Sequence, residues 1–225
     1  VPVPDYRRAL DGDIKGLRIG MIKELVHGEI VDPEVADAVM KAGSVLGELG
    51  ATVEEVSLPL TVHGGVISAV LIGVEAAMTY RDWIRDDLHG FGHGNQIGLL
   101  TGSLMPAQAY YKVQKLRELV RRQVLGALEN YDVLVLPTSR SCAPLSQDDP
   151  TITSKDMAAR MPPVMTRPFN LAGAPALSVN CGFNSQGLPI GLQIGGRPFH
   201  EETVLKVGHA YEQNSPWHGA RPPHA

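Results

Sequence analysis

The chain has 225 residues, of which 44% are apolar and 20% charged, and a formal net charge of −4. A chain of that length buries roughly 70% of its unfolded surface, so its core needs neither disulfides nor a structural metal. The mild negative charge and the 5% aromatic content speak against the basic, stacking-rich surface of a nucleic-acid binder and against an anionic membrane as partner.

Val1 to Asp13, with Pro2 and Pro4, reads as an extended N-terminal arm. Leu17-Arg18-Ile19-Gly20-Met21 alternates as a strand does. Asp32-Pro33-Glu34 starts a helix: an N-cap acid, a proline in the first turn, and an acid at the positive end of the dipole. Val35, Val39, Ala42, Leu46 and Leu49 then recur at helical spacing until Gly50 stops the helix. Thr52 to Val56 follows as a second strand, and the order strand, helix, strand predicts a crossover onto a shared sheet. Val62 to Arg85 is a second helical segment. Its apolar stretch to Met78 holds Gly64, Gly65, Ser68, Gly73 and Glu75, the mark of a buried helix and not of a membrane span.

Leu88 to Gly102 is glycine-rich, and a flexible loop is expected at Gly90-Phe91-Gly92-His93-Gly94. Pro106 opens a long helix to about Asn130, with Val113, Leu116, Val120, Val124 and Leu128 facing inward. Asp132-Val133-Leu134-Val135-Leu136, ended by Pro137, is a nearly continuous apolar strand, as expected for burial on both faces. Ser139 to Pro163 is a long polar loop. Ala176–Phe183 and Leu188–Ile194 form a hairpin around the turn residues Asn184-Ser185-Gln186-Gly187. Glu201 and Glu202 open a last helix to about Gln213, and a Pro-rich tail follows. The fold class is therefore α/β: a mixed, largely buried sheet covered by helices. The expected divisions are an arm over 1–13, one domain over 14–215 and a tail over 216–225.

Few residues advertise chemistry. The glycines at 90–94 lack the strand, helix and Lys-Ser/Thr of a phosphate loop. His89 and His93 are four apart, but the glycines among them argue against a shared helical face, so no metal site is expected. Thr138-Ser139-Arg140-Ser141-Cys142 follows the buried strand, where α/β sheets often place chemistry. It has no neighbouring base and no Gly-x-Ser-x-Gly elbow, so its serines are read as loop residues that line a pocket. Cys142 and Cys181 are read as inert core thiols. Two cysteines without metal spacing, and no signal peptide, lead to the expectation of a reducing, cytoplasmic setting. A start at Val1 instead of Met suggests a fragment or a processed product.

The string from Arg167 through Asn170-Leu171-Ala172-Gly173-Ala174-Pro175 to Gly191-Leu192-Gln193-Ile194 closely resembles the C-terminal block of the amidase signature family, serine hydrolases that cleave carboxamide C–N bonds. Leu17-Arg18-Ile19-Gly20, Asp32-Pro33-Glu34-Val35, Gly102 with Tyr110 and Arg117, Tyr131 to Thr138, and Gly196-Arg197-Pro198-Phe199 resemble further family segments, in order along nearly the whole chain. The resemblance implies a Ser nucleophile, a second Ser, a Lys and a Gly-Gly-Ser-Ser oxyanion loop, all in the segment preceding the region matched here. No Ser-Ser pair occurs, Gly64-Gly65 is followed by Val66, and Gly195-Gly196 by Arg197. No catalytic residue is carried over, and the chain alone is expected to be inactive.

What the resemblance implies is the C-terminal portion of an amidase, with Met165, Thr166, Phe169, Asn170 and Thr138 as candidate residues of the substrate wall. Asn170 equally reads as a turn cap. The expected partners are a small amide, the N-terminal half of the same fold and a second copy in a homodimer. No cofactor, metal, nucleic acid or membrane is expected. One alternative is the A chain of a glutamine-dependent tRNA amidotransferase. That type usually carries an Asp where this chain has Pro162-Pro163, and an Arg in the stretch held here by Gln96, Ile97 and Gly98. The other alternative is a non-catalytic binding module.

Overall fold

The computed structural model describes residues 3–144 and 165–220. Five strands, β1 (Arg18–Ile22), β2 (Thr52–Val56), β3 (Val133–Pro137), β4 (Ala176–Phe183) and β5 (Pro189–Gly196), make one open sheet in the order β2-β1-β3-β5-β4. β1 runs parallel to β2 and β3, while β5 is antiparallel to β3 and β4. The helices in chain order are α1 (Tyr6–Ala9), α2 (Lys23–Val26), α3 (Pro33–Glu48), α4 (Gly64–Thr79), α5 (Arg81–Asp86), α6 (His93–Ser103), α7 (Ala107–Leu128), α8 (Arg167–Ala172) and α9 (Glu201–Gln213). The mixed, helix-covered sheet expected from the sequence is thus present.

The register sorts the sheet's side chains into two faces. Ile19, Met21, Val133, Val135, Leu192, Ile194, Leu177 and Val179 point to one side, where α3 and α9 pack. Leu134, Leu136, Gln193 and Gly195 point to the other side, where α2 meets β1 and β3 and the Phe169 ring of α8 lies on Gly195. A Cβ at Gly195 would sit 2.2 Å from that ring, so glycine is what lets α8 reach the sheet. α7 packs outside α8 and holds its C-terminal end: Arg117 Nε donates to the Leu171 carbonyl at 3.2 Å, and Arg121 donates to the Ala172 carbonyl. These cations satisfy carbonyls that a helix end leaves without partners.

Local chemistry behaves as read at several points. The Asp32 carboxylate accepts from Glu34 N at 2.9 Å and caps α3. The Asn184 side chain accepts from Gln186 N and Leu188 N, which closes the hairpin turn. Glu34 then accepts from Ser185 N at 2.9 Å, tying that turn to the start of α3.

Other points differ. The arm is not extended throughout, since Tyr6–Ala9 makes one helical turn. The segment over Val62–Arg85 is two helices, broken at Tyr80. The glycine-rich stretch is not a loop: a 3-10 turn spans Leu88–Gly90, and α6 begins at His93 with Gly92 ahead of it. Three glycines did not prevent that helix because α4 supports it. His89 and His93 still share no helical face, and no cluster of three or more His, Cys, Asp or Glu able to hold a metal occurs among the described residues. Leu116 of α7 is exposed, unlike its neighbours in the heptad-like row. Pro59–Thr79 is long and apolar enough to cross a membrane by length and composition, with a mean hydropathy of 1.6. Its helix packs on α6, α7 and α8, yet Val66, Ile72 and Met78 remain exposed, so α4 is buried on one side only. The loop from Leu145 to Pro163 and the tail from Arg221 lie outside the described residues.

Glu24 fastens α2 to the chain leaving β2. Its carboxylate accepts from Ser57 Oγ at 2.5 Å and from Leu58 N at 2.9 Å. Burial pushes this carboxyl up, but the two donors more than offset that, and it titrates below the ordinary carboxylate value. The stability it contributes is present above the ordinary carboxylate pKa and is lost as pH falls through the lowered folded value. Glu24→Gln is expected to cost about 1 kcal/mol at neutral pH. In urea unfolding the gap to wild type should narrow as pH falls below the ordinary carboxylate range, and a gap unchanged with pH would refute this assignment.

Candidate functional site

Two concavities among the described residues bear on a site. The first is a polar groove of about 550 Å³ at the C-terminal end of β3, alongside β4. Thr138 and Ser178 meet there across the sheet, Oγ to Oγ at 2.6 Å. Gly191 leaves room for both, since a Cβ on it would lie 2.8 Å from Thr138 Oγ1 and 2.9 Å from Ser178 Oγ. Ser139, Ser141 and Cys142 also line this groove, as expected for pocket-lining loop residues. No His, Lys, Asp or Glu stands among its described lining residues, so none of these hydroxyls has a general base beside it. Burial, with the Asp32 and Glu34 carboxylates, pushes the Cys142 thiol up, and burial pushes Cys181 up to about 12. Both stay protonated at neutral pH and are poor nucleophiles.

The second is a larger cavity of about 710 Å³ between α4, α5, α6 and the start of α8. Its existence rests on a backbone contact. A Cβ on Gly102 would lie 2.0 Å from the Gly73 carbonyl oxygen, so α4 and α6 cross at two bare backbones. Tyr80, Trp83 and Phe91 also line the cavity, with ring centroids 5.7 to 6.5 Å apart. Ala69, Ile72, Ala76, Leu99 and Met105 complete an apolar wall. Arg167 is the only charged side chain among the described residues that line it. Its Nε is shut from solvent and has no hydrogen-bond partner.

The five residues expected at a substrate wall do not converge. Thr138 lines the polar groove. Met165 and Phe169 are each 1% exposed, the latter against Gly195, while the Met165 carbonyl accepts from Gln193 Nε2 at 3.4 Å. Thr166 is half-buried at the start of α8. Asn170 is exposed inside α8, and the residue that ends this helix is Gly173, so Asn170 is not the turn cap expected. Sequence reasoning passed over Arg167, Tyr80, Trp83 and Phe91. The available signal was three aromatic residues within positions 80–91 of a chain only 5% aromatic, and one cation just ahead of Pro168 and Phe169.

The profile of the Amidase family matches residues 1–205. The chain belongs to the amidase signature family. It is 39% identical to the A chain of the glutamyl-tRNA(Gln) amidotransferase of Brevibacillus brevis, over 99% of this chain and 49% of that protein. The corresponding A chain from Thermotoga maritima superposes with a TM-score of 0.70 at 26% identity, over 92% of this chain and 44% of that one. A bacterial aryl acylamidase of the amidase signature family superposes with a TM-score of 0.78 over 97% of this chain and 49% of its own; at 24% identity it shows the fold alone. The chain thus spans about half the length of the curated relatives it matches. The Pro162-Pro163 departure from the amidotransferase pattern lies outside the described residues. Gln96, Ile97 and Gly98 lie in α6, with Gly98 on the cavity wall.

Within this amidase fold the Gly73–Gly102 crossing is the most exacting contact. Gly102→Ala forces α4 and α6 apart and is expected to cost about 2–3 kcal/mol, the scale of core overpacking. Thermal unfolding of the variant checks this; an unchanged Tm would show that the crossing is not constrained.

Proposed function

We propose that this chain is the C-terminal half of an amidase that hydrolyses the C–N bond of a carboxamide bearing a bulky apolar or aromatic group. On this reading it supplies the large cavity, and the Ser nucleophile, second Ser and Lys expected of the family come from an upstream half. Membership of the amidase family, with a match to about half the length of its relatives, supports the division of labour. The observation that carries the substrate class is the cavity wall, with three clustered rings, aliphatic sides and a single charge. Its volume of about 710 Å³ falls in the range of small-molecule sites.

A second reading, the A chain of a glutamine-dependent amidotransferase, draws on the 39% identity to such a protein. Glutamine presents an ammonium and a carboxylate on a small polar body. A buried ammonium needs a carboxylate partner, and the described cavity lining offers none. Pro162-Pro163 where that type usually carries an Asp, and Gln96, Ile97 and Gly98 where it carries an Arg, favour the first reading.

The test is hydrolysis by the native protein at its natural length. Aryl and arylalkyl amides are expected to be turned over with a kcat/KM about 10-fold or more above that for glutamine. Glutamine as the better substrate, further accelerated by partner proteins and charged tRNA, would replace the first reading with the second.

A further inference from the structure

The geometry points to Arg167 as the recognition group for a carboxylate on an apolar or aromatic ligand in the α4–α6 cavity. This rests on the reading that the cavity holds the substrate or its product, and it adds a charge requirement to the apolar one.

Three observations meet at this residue. Arg167 sits at the first position of α8, and the Gly64 backbone lies against its side chain, where an added Cβ would come within 3.0 Å of Arg167 Cβ. The start of the side chain is therefore held between α4 and α8 at the cavity wall. Its Nε is buried with no acceptor, and no carboxylate among the described residues pairs with the guanidinium. Arg117 and Arg121 of α7 are committed elsewhere, since both donate to the C-terminal end of α8. No side chain or carbonyl among the described residues accepts a hydrogen bond from this guanidinium, so the cavity that Arg167 lines is a place for an acceptor. A guanidinium that keeps its charge at any accessible pH and presents a planar fork of donors selects a carboxylate above other acceptors. The apolar wall beside it weakens water's competition for that ion pair and requires the rest of the ligand to be apolar.

The occupant is thus an amphipathic acid: an aromatic or aliphatic body set against Tyr80, Trp83, Phe91 and Ile72, with a carboxylate on Arg167. A polar amino acid fits the charge but not the wall, and a neutral hydrocarbon fits the wall but leaves the guanidinium without a counter-charge.

The test is calorimetric binding of two matched probes, 4-phenylbutyrate and 4-phenylbutanol, to the native protein at its natural length. The carboxylate should bind about 10- to 100-fold more tightly than the alcohol, the range of a hydrogen bond to a charged group. Arg167→Met should abolish that difference by weakening the carboxylate while leaving the alcohol within about twofold, and Arg167→Lys should recover part of it. Equal affinities in the wild type would overturn the proposal, as they would if a carboxylate of an upstream segment already occupies Arg167. Discrimination that survives in Arg167→Met would also overturn it, because another cation would then be responsible. The wild-type comparison decides even if a variant fails to fold. Binding is read without turnover, so an absence of amide hydrolysis would count against the functional proposal alone.

Discussion

Strand β3 is the constraint from which the rest of the molecule is laid out. All five of its residues, Val133 to Pro137, are buried, so both faces and both edges of the strand must be covered. Parallel β1 covers one edge and antiparallel β5 the other. α3 and α9 close one face; α2 and α8, with α7 behind, close the other. A strand buried on both sides reads as a continuous apolar run and marks the middle of a layered α/β domain. The polar groove follows from where that burial stops. Pro137 ends the strand, and Thr138 is the first residue free to offer a hydroxyl, to Ser178 across the sheet.

The cavity arises from a different constraint. Gly73 and Gly102 bring two helical backbones into direct contact, and apolar residues of α4 and α6 beside them line an open wall. An exposed apolar surface of this kind marks a place for an occupant. The wall's chemistry is one-sided, with aromatic rings and aliphatic chains around a single guanidinium that has no partner. The sheet with its capped helix ends is the structural part of this chain, and the cavity is its proposed binding part. The cavity also accounts for the exposure of Ile72, in a helix expected to be buried, since that side chain lines it.

Much of the fold is legible in the sequence because its signals are local. Asp32-Pro33-Glu34 announces α3, Val133 to Pro137 announces a strand buried on both faces, and Asn184 to Gly187 announces the hairpin. α6 was hidden because its glycines argue for a loop by propensity, whereas a tertiary contact with α4 decides its conformation. The break at Tyr80 carries no Gly or Pro to announce it. The site was less legible still. Met165 and Phe169 sit in a string typical of the family, but their burial serves the packing of α8 on Gly195. Arg167, in the same string, matters through the absence of a partner, and an absence in three dimensions leaves no trace in a sequence.

The central claim is that the α4–α6 cavity is an outer wall of a substrate site completed by an upstream half carrying the nucleophile. A crystal structure of the native protein at its natural length tests this most directly. The cavity beside Arg167 is predicted to stay open and to run without interruption to a serine nucleophile on the upstream half. A cavity filled by upstream side chains, with Arg167 paired to one of their carboxylates, would contradict the claim and make this surface an internal interface of the fold.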